Sequence, residues 1–197
     1  GQVGRPSDAG GSGHEPEKGR GPRAQAELTN DIQRFFLEES RLGIPVVFHD
    51  ECLHGHAAVG GTSFPQPIAL GATFDPALVE RLYAMTAVEA RARGVHQALT
   101  PVVDVARDPR WGRVEETFGE DPHLASRLGV AAVRGFQGDA SFSDKSHVIA
   151  TLKHFVAHGQ PEAGQNCGPA NVSPRELREV FLPPFKAAVQ DAVAISV

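Results

Sequence analysis

Chemistry in this 197-residue sequence concentrates in three short clusters of ionisable side chains, each set directly after an apolar run. The stretch "VVFHDECLHG" carries Asp50, Glu51 and His54; "PVVDVARDPRWGR" carries Asp104, Arg107, Asp108 and Arg113; "ATLKHFVAH" carries Lys153, His154 and His158. Together they offer carboxylate, guanidinium, ammonium and imidazole groups. Such a mixture suits a polyol, whose hydroxyls both donate and accept: arginine supplies fixed planar donors, lysine a flexible one, and a carboxylate accepts from two hydroxyls at once. Glu51, polar at the end of a β-type run, and Lys153, which needs a partner if buried, are read as ligand contacts. Asp108 between Arg107 and Arg110 reads as an internal brace, Asp104 as structural, and Trp111 as core.

Other chemistries find less support. The nine histidines include "HGH" at His54 to His56, but that spacing fits no helical pair and no cysteine or carboxylate cluster completes a shell, so no metal is expected. No Gly-x-Ser-x-Gly elbow is present, so acyl transfer by a serine is unsupported, and "GGT" at Gly60 to Thr62 has the spacing of neither phosphate fingerprint, so no cofactor is expected either. A net charge of −5 without a basic stripe argues against nucleic acid. No run approaches the ~20 apolar residues that span a membrane. Cys52 and Cys167 are read as free thiols.

The elements that must hold these clusters alternate. Residues 1–25, rich in Gly, Pro, Ser and charge, are expected to be a loop or flexible N-terminal segment, and 26–197 a single α/β domain. Leu28, Ile32, Phe35 and Phe36 predict a helix face from Ala26 to about Gly43. Strands are expected at Ile44–Glu51, Ala98–Val105 and His147–Val156, all continuously apolar as in a parallel sheet. Asp75-Pro76 predicts a helix with Leu78, Leu82 and Met85 inward and Gly94 at its end. Asp121-Pro122 predicts another, with Leu124, Leu128 and Ala131 inward and Gly135 as its stop. Ser173 and Glu176 form a capping box opening a helix that Pro183 and Pro184 should interrupt, and "VAISV" reads as the start of a further strand.

Parallel strands with covering helices, and polar clusters repeated at the strand C-terminal ends, favour a (β/α)8 barrel over an open doubly wound sheet. The sequence supplies about half of the eight strands, and fewer than the ~250 residues, that a barrel takes. The expected fold is therefore a partial TIM-barrel-like domain, incomplete and truncated.

The strings "RLGIPVVFHDECLHG", "SFPQPIALGATFDPALV", "PVVDVARDPRWGRVEETFGEDP", "ATLKHFVAHG" and "RELREVFLPPFKAAV" resemble the N-terminal barrel domain of glycoside hydrolase family 3, the β-glucosidase and β-xylosidase family. The resemblance runs from about Ala26 to Val197. It implies a barrel mouth that holds the terminal sugar, with Glu51 at the acidic position that takes the distal hydroxyls and Arg113, Lys153 and His154 at further sugar-contacting positions. It implies retaining hydrolysis, which needs a nucleophile and an acid/base carboxyl about 5 Å apart. The family's aspartate nucleophile and acid/base lie beyond the matched motifs, so no catalytic residue is expected within this sequence. Glu115, Glu116, Glu120 and Asp121 correspond to braces. The N-acetylhexosaminidase branch follows "KHF" with Gly-His-Gly-Asp and a nearby Asp-x-His; "KHFVAHGQPEAG" has neither, which argues against an aminosugar. Glutamate at 51, where many glucosidases of the family carry aspartate, leans toward xylosides. The expected partner is thus a small-molecule or oligosaccharide β-glucoside or β-xyloside. The alternative is a non-catalytic sugar-binding or scaffold role.

Overall fold

The computed structural model describes residues 1–8, 19–139 and 141–197. Four strands, β1 (Gln2–Gly4), β2 (Val47–Asp50), β3 (Gln97–Ala98) and β4 (Ile149–Ala150), pair in parallel in the order β1-β2-β3-β4. Strands laid down in sequence order, with no reversal, match a barrel wall; a doubly wound sheet would change direction at a switch point. The arc is open among the described residues. Ser196 extends it by a parallel bridge to Thr151, as the reading of "VAISV" requires.

Helices fill the connections. α1 (Pro22–Glu38) precedes β2, α2 (Pro67–Gly71) and α3 (Pro76–Ala92) precede β3, and α4 (Pro122–Gln137) precedes β4. After β4, α5 (Pro174–Glu176), a π-helical turn (Leu177–Phe181) and α6 (Leu182–Ala192) follow one another without a break. Asp75 and Asp121 cap α3 and α4 by accepting from backbone N–H groups of the first turn, and Ser173 accepts from Glu176 N at 3.1 Å. The main core lies between the sheet and α3, α4 and α6, where Leu82, Tyr83, Leu128, Phe136, Leu152 and Phe185 pack together.

Several expectations are corrected. Residues 1–25 are not all loop: Gln2–Gly4 pairs with Val47–His49, and α1 begins at Pro22, a proline in the first helical turn. The part of that expected loop at 9–18 lies outside the described residues. A three-residue strand with one apolar side chain leaves no periodic trace. On α1 the buried positions are Gln25 and Thr29, while Phe35 is 52% exposed. Polar bonds rotate the helix this way: Gln25 Nε2 donates to Asp50 Oδ2 and Thr29 Oγ1 to Arg93 O. On α3 the inward residues are Val79, Leu82, Tyr83, Thr86, Ala87 and Ala90, not Leu78 and Met85. Gly135 lies inside α4, which ends at Gly138 with φ of 58°.

The β3 and β4 ladders are shorter than expected because Pro101 has no N–H to give. Pairing resumes at a bridge between Val102 and Lys153, and Val102, Val103 and Val105 stay buried. Pro183 and Pro184 do not interrupt the last helix. The π turn just before them widens the backbone where a proline ring would otherwise meet the carbonyl of the preceding turn.

Candidate functional site

Parallel strands deliver their C-terminal residues to one edge of the sheet, and all three charged clusters meet there. Glu51 follows β2, Lys153 and His154 follow β4, and Arg113 is carried on the loop between β3 and α4. Glu51, Arg113 and Lys153 line a cavity of about 420 Å3 together with Arg5, Leu53, His54, Ala57, Glu116 and Asn166. That volume is within the range of small-molecule sites.

Two ion-paired groups build the wall. Lys153 Nζ donates to Glu51 Oε2 at 3.1 Å, and Arg5 Nη2 donates to Glu51 Oε1 at 3.3 Å, so each carboxylate oxygen faces a cation. Beside them Arg113 grips Glu116 with two bonds, Nε to Oε1 at 2.8 Å and Nη2 to Oε2 at 2.7 Å. Those bonds raise the affinity of Arg113 for its proton. Burial alone would push Glu116 up, but the Arg113 bonds and charge outweigh it and hold that carboxyl below its usual range.

Arg113 also fixes the histidines. It donates from Nη2 to His154 Nε2 at 3.0 Å and from Nη1 to His158 Nε2 at 3.2 Å. Because arginine only donates, both Nε2 atoms must accept, which places the ring protons on Nδ1. His154 Nδ1 donates to Asp104 Oδ2 at 2.7 Å, and the His154 backbone N–H reaches the same oxygen at 3.0 Å. His154 thus stands behind Arg113, oriented by a buried aspartate. Burial, then the neighbouring His154, lower the pKa of His158 and favour its neutral form.

The remaining candidates resolve as follows. Asp108 accepts from Arg110 N, Nε and Nη2, which brings its pKa to about 2; the pair is a brace. Trp111 is 2% exposed and donates from Nε1 to Asn166 Oδ1 at 3.0 Å. Asp104 is structural toward the backbone but also sets the His154 ring, a function that a lone aspartate in an apolar run does not announce. His56 is buried against Asp50, 3.1 Å from its Oδ2, while His54 reaches the cavity. Among the described residues no three His, Cys, Asp or Glu side chains converge as a metal shell. Cys52 and Cys167 are free; burial, followed by the charges of Asp50 and Glu51, pushes the Cys52 thiol up. Arg5 and Asn166 are not legible in the sequence, since each joins the cavity through a bond to a residue far along the chain.

Residues 16–197 match the Glycosyl hydrolase family 3 N terminal domain. The chain is 47% identical over 174 residues to a beta-xylosidase of Formosa agariphila, covering 85% of this chain and 24% of the relative. It is 37% identical over 150 residues to a periplasmic beta-glucosidase of Salmonella typhimurium, covering 76% of this chain and 19% of the relative. Among solved structures, a beta-glucosidase from Listeria innocua in complex with glucose superposes with a TM-score of 0.83 at 45% identity, over 87% of this chain and 23% of that one. An exo-1,3/1,4-beta-glucanase from a Pseudoalteromonas species superposes with a TM-score of 0.87 at 32% identity, over 98% of this chain and 24% of that one. The chain spans between about a fifth and a quarter of the length of these relatives.

Proposed function

The chain belongs to glycosyl hydrolase family 3, and on that premise we propose that its cavity is the first sugar subsite of a retaining, exo-acting β-glycosidase acting on terminal β-D-xylosyl or β-D-glucosyl residues. The observation that carries the reading is the convergence of Glu51, Lys153 and Arg113 on one cavity at the strand C-terminal edge. A carboxylate flanked by an ammonium and a guanidinium offers acceptors and donors at fixed separation, as vicinal hydroxyls require. In this assignment Glu51 accepts from the distal hydroxyls, Lys153 and Arg113 donate to their neighbours, and His154 acts through Arg113 or meets the sugar directly.

The carboxylates that line the cavity, Glu51 and Glu116, are both tied to cations. Each of their oxygens accepts from a cationic donor, so neither is an unencumbered nucleophile. The chemical step is therefore assigned to carboxyl groups other than the two that line the cavity among the described residues. The same ties support the alternative that these residues bind sugar without cleaving it. Relatives named for both xylosides and glucosides keep both substrates in the proposal, and the longer reach of Glu51 favours the pentose, which has no outer hydroxymethyl group to accommodate.

The test is titration of D-xylose and D-glucose into the chain, with turnover of nitrophenyl β-xyloside and β-glucoside measured in parallel. Saturable sugar binding that Glu51→Ala abolishes, without turnover, is the expected result. Turnover by residues 1–197 would overturn the expectation that they hold no catalytic residue, and absence of sugar binding would overturn the subsite.

A further inference from the structure

Asn166 sits on the cavity wall with its two amide ends in different situations. Trp111 Nε1 is a donor only, so the atom 3.0 Å from it must be the Asn166 oxygen, which orients the side chain without ambiguity. The amide nitrogen, with two N–H donors, then points away from Trp111, and no hydrogen bond from it to a described residue is formed. The loop that carries it is fixed locally: Gly164, at φ of 72°, packs against Arg110, and Glu162 N donates to Pro169 O at 2.8 Å. Asn166 therefore presents oriented donors on a held loop, at the edge of a cavity whose other polar side chains, His54 apart, are those of Arg, Lys and Glu.

We propose that Asn166 is a substrate-contacting, specificity-determining residue: its Nδ2 donates to one sugar oxygen, while its Oδ1 is held by Trp111. The inference rests on the sugar-subsite reading above. A neutral amide suits this place. It adds a donor without adding charge beside the Glu51 and Glu116 ion pairs, and the bond to Trp111 fixes its direction before the ligand arrives, which reduces the ordering cost of binding.

The sequence has a single tryptophan, so its fluorescence reports on this one contact. The experiment titrates D-glucose and its monodeoxy analogues into the wild-type chain and into Asn166→Ala, following Trp111 emission and, separately, ligand-observed NMR. Loss of one direct hydrogen bond should weaken glucose binding roughly tenfold. The weakening should vanish for the one deoxy analogue that lacks the contacted oxygen, or persist for all hydroxyl deletions only if the ring oxygen is the partner, in which case the carba-sugar shows no further loss. Equal weakening for every analogue, the carba-sugar included, marks a merely structural residue and overturns the proposal, as does unchanged binding. Asn166→Asp keeps an acceptor for Trp111 and is run on the same panel should the alanine variant fail to fold. Wild-type chain that binds no sugar overturns the subsite reading itself, whereas wild-type binding with an indifferent Asn166 overturns only this inference.

Discussion

Lys153 and Glu51 lie 102 residues apart in sequence and 3.1 Å apart in space, joining the end of β4 to the end of β2 across β3. Their side chains are 16% and 20% exposed, so each charge relies on the other more than on water. The pair is at once a wall of the cavity and a tie across the sheet.

Removing one partner leaves the other charge half-desolvated, with Arg5 as the remaining cation beside Glu51. Lys153→Ala is expected to cost about 1–3 kcal/mol of stability in urea unfolding. Adding Glu51→Gln to it should restore part of that loss. Additive effects in the double variant would show that the pair is not coupled.

Acid should weaken the site through Glu116. Its folded-state pKa lies below the ordinary value of 4.5, so the Arg113–Glu116 contribution to stability is present above that pH and is lost as pH falls through the lowered value. Glu116→Gln is expected to cost about 1 kcal/mol at pH 7 and close to nothing near pH 2. A cost that stays constant across the titration would contradict this.

A second pH effect comes from His158, whose folded-state pKa is below the ordinary 6.5. The unfolded chain then takes up a proton first, so this contribution is complete above pH 6.5 and declines as pH falls toward the folded value. Protonation also puts a donor at Nε2 facing the Arg113 donor. Sugar binding should weaken as pH falls below 6.5 through the lowered folded value, and His158→Gln should flatten that dependence. The His158 ring-proton NMR titration gives the pKa directly.

Helix packing makes a different demand at Gly135. A Cβ there would overlap the Glu80 carbonyl oxygen and sit 3.0 Å from Ala84 N and Tyr83 Cβ, both on α3. Gly135→Ala is expected to destabilise by about 3 kcal/mol. Gly112, where an added Cβ meets nothing within 4 Å, is the control and should tolerate alanine with little change in Tm.

Of the proposed sugar contacts, Glu51, Arg113, Lys153 and His154 are legible because each is a polar side chain set at, or on the loop after, the end of an apolar run, and parallel topology brings such ends together. What escapes the sequence depends on contacts with no local signal. Arg5 matters only because Gln2–Gly4 pairs with β2 and carries it to Glu51. The inward face of α3 is hard to read because Ala and Val occur all around that helix, so burial is decided by its contact with α4, and Gly135 looks like a stop because a close helix crossing and a helix end favour the same residue. Pro183 and Pro184 mislead for a related reason: the π turn that accommodates them is a backbone adjustment that side-chain patterning does not record.

The bonds around Arg113 set a limit on what can enter. A guanidinium has five N–H groups. One from Nε and one from Nη2 go to Glu116, a second from Nη2 to His154, and one from Nη1 to His158, which leaves a single N–H on Nη1. Carboxylates and phosphates are best taken by two parallel N–H groups, and Arg113 has no such pair to offer without breaking its own framework. On the proposed sugar-subsite reading, an arginine in this state discriminates by the position of one oxygen instead of by charge, a geometry that suits an uncharged sugar better than a uronic acid or a sugar phosphate.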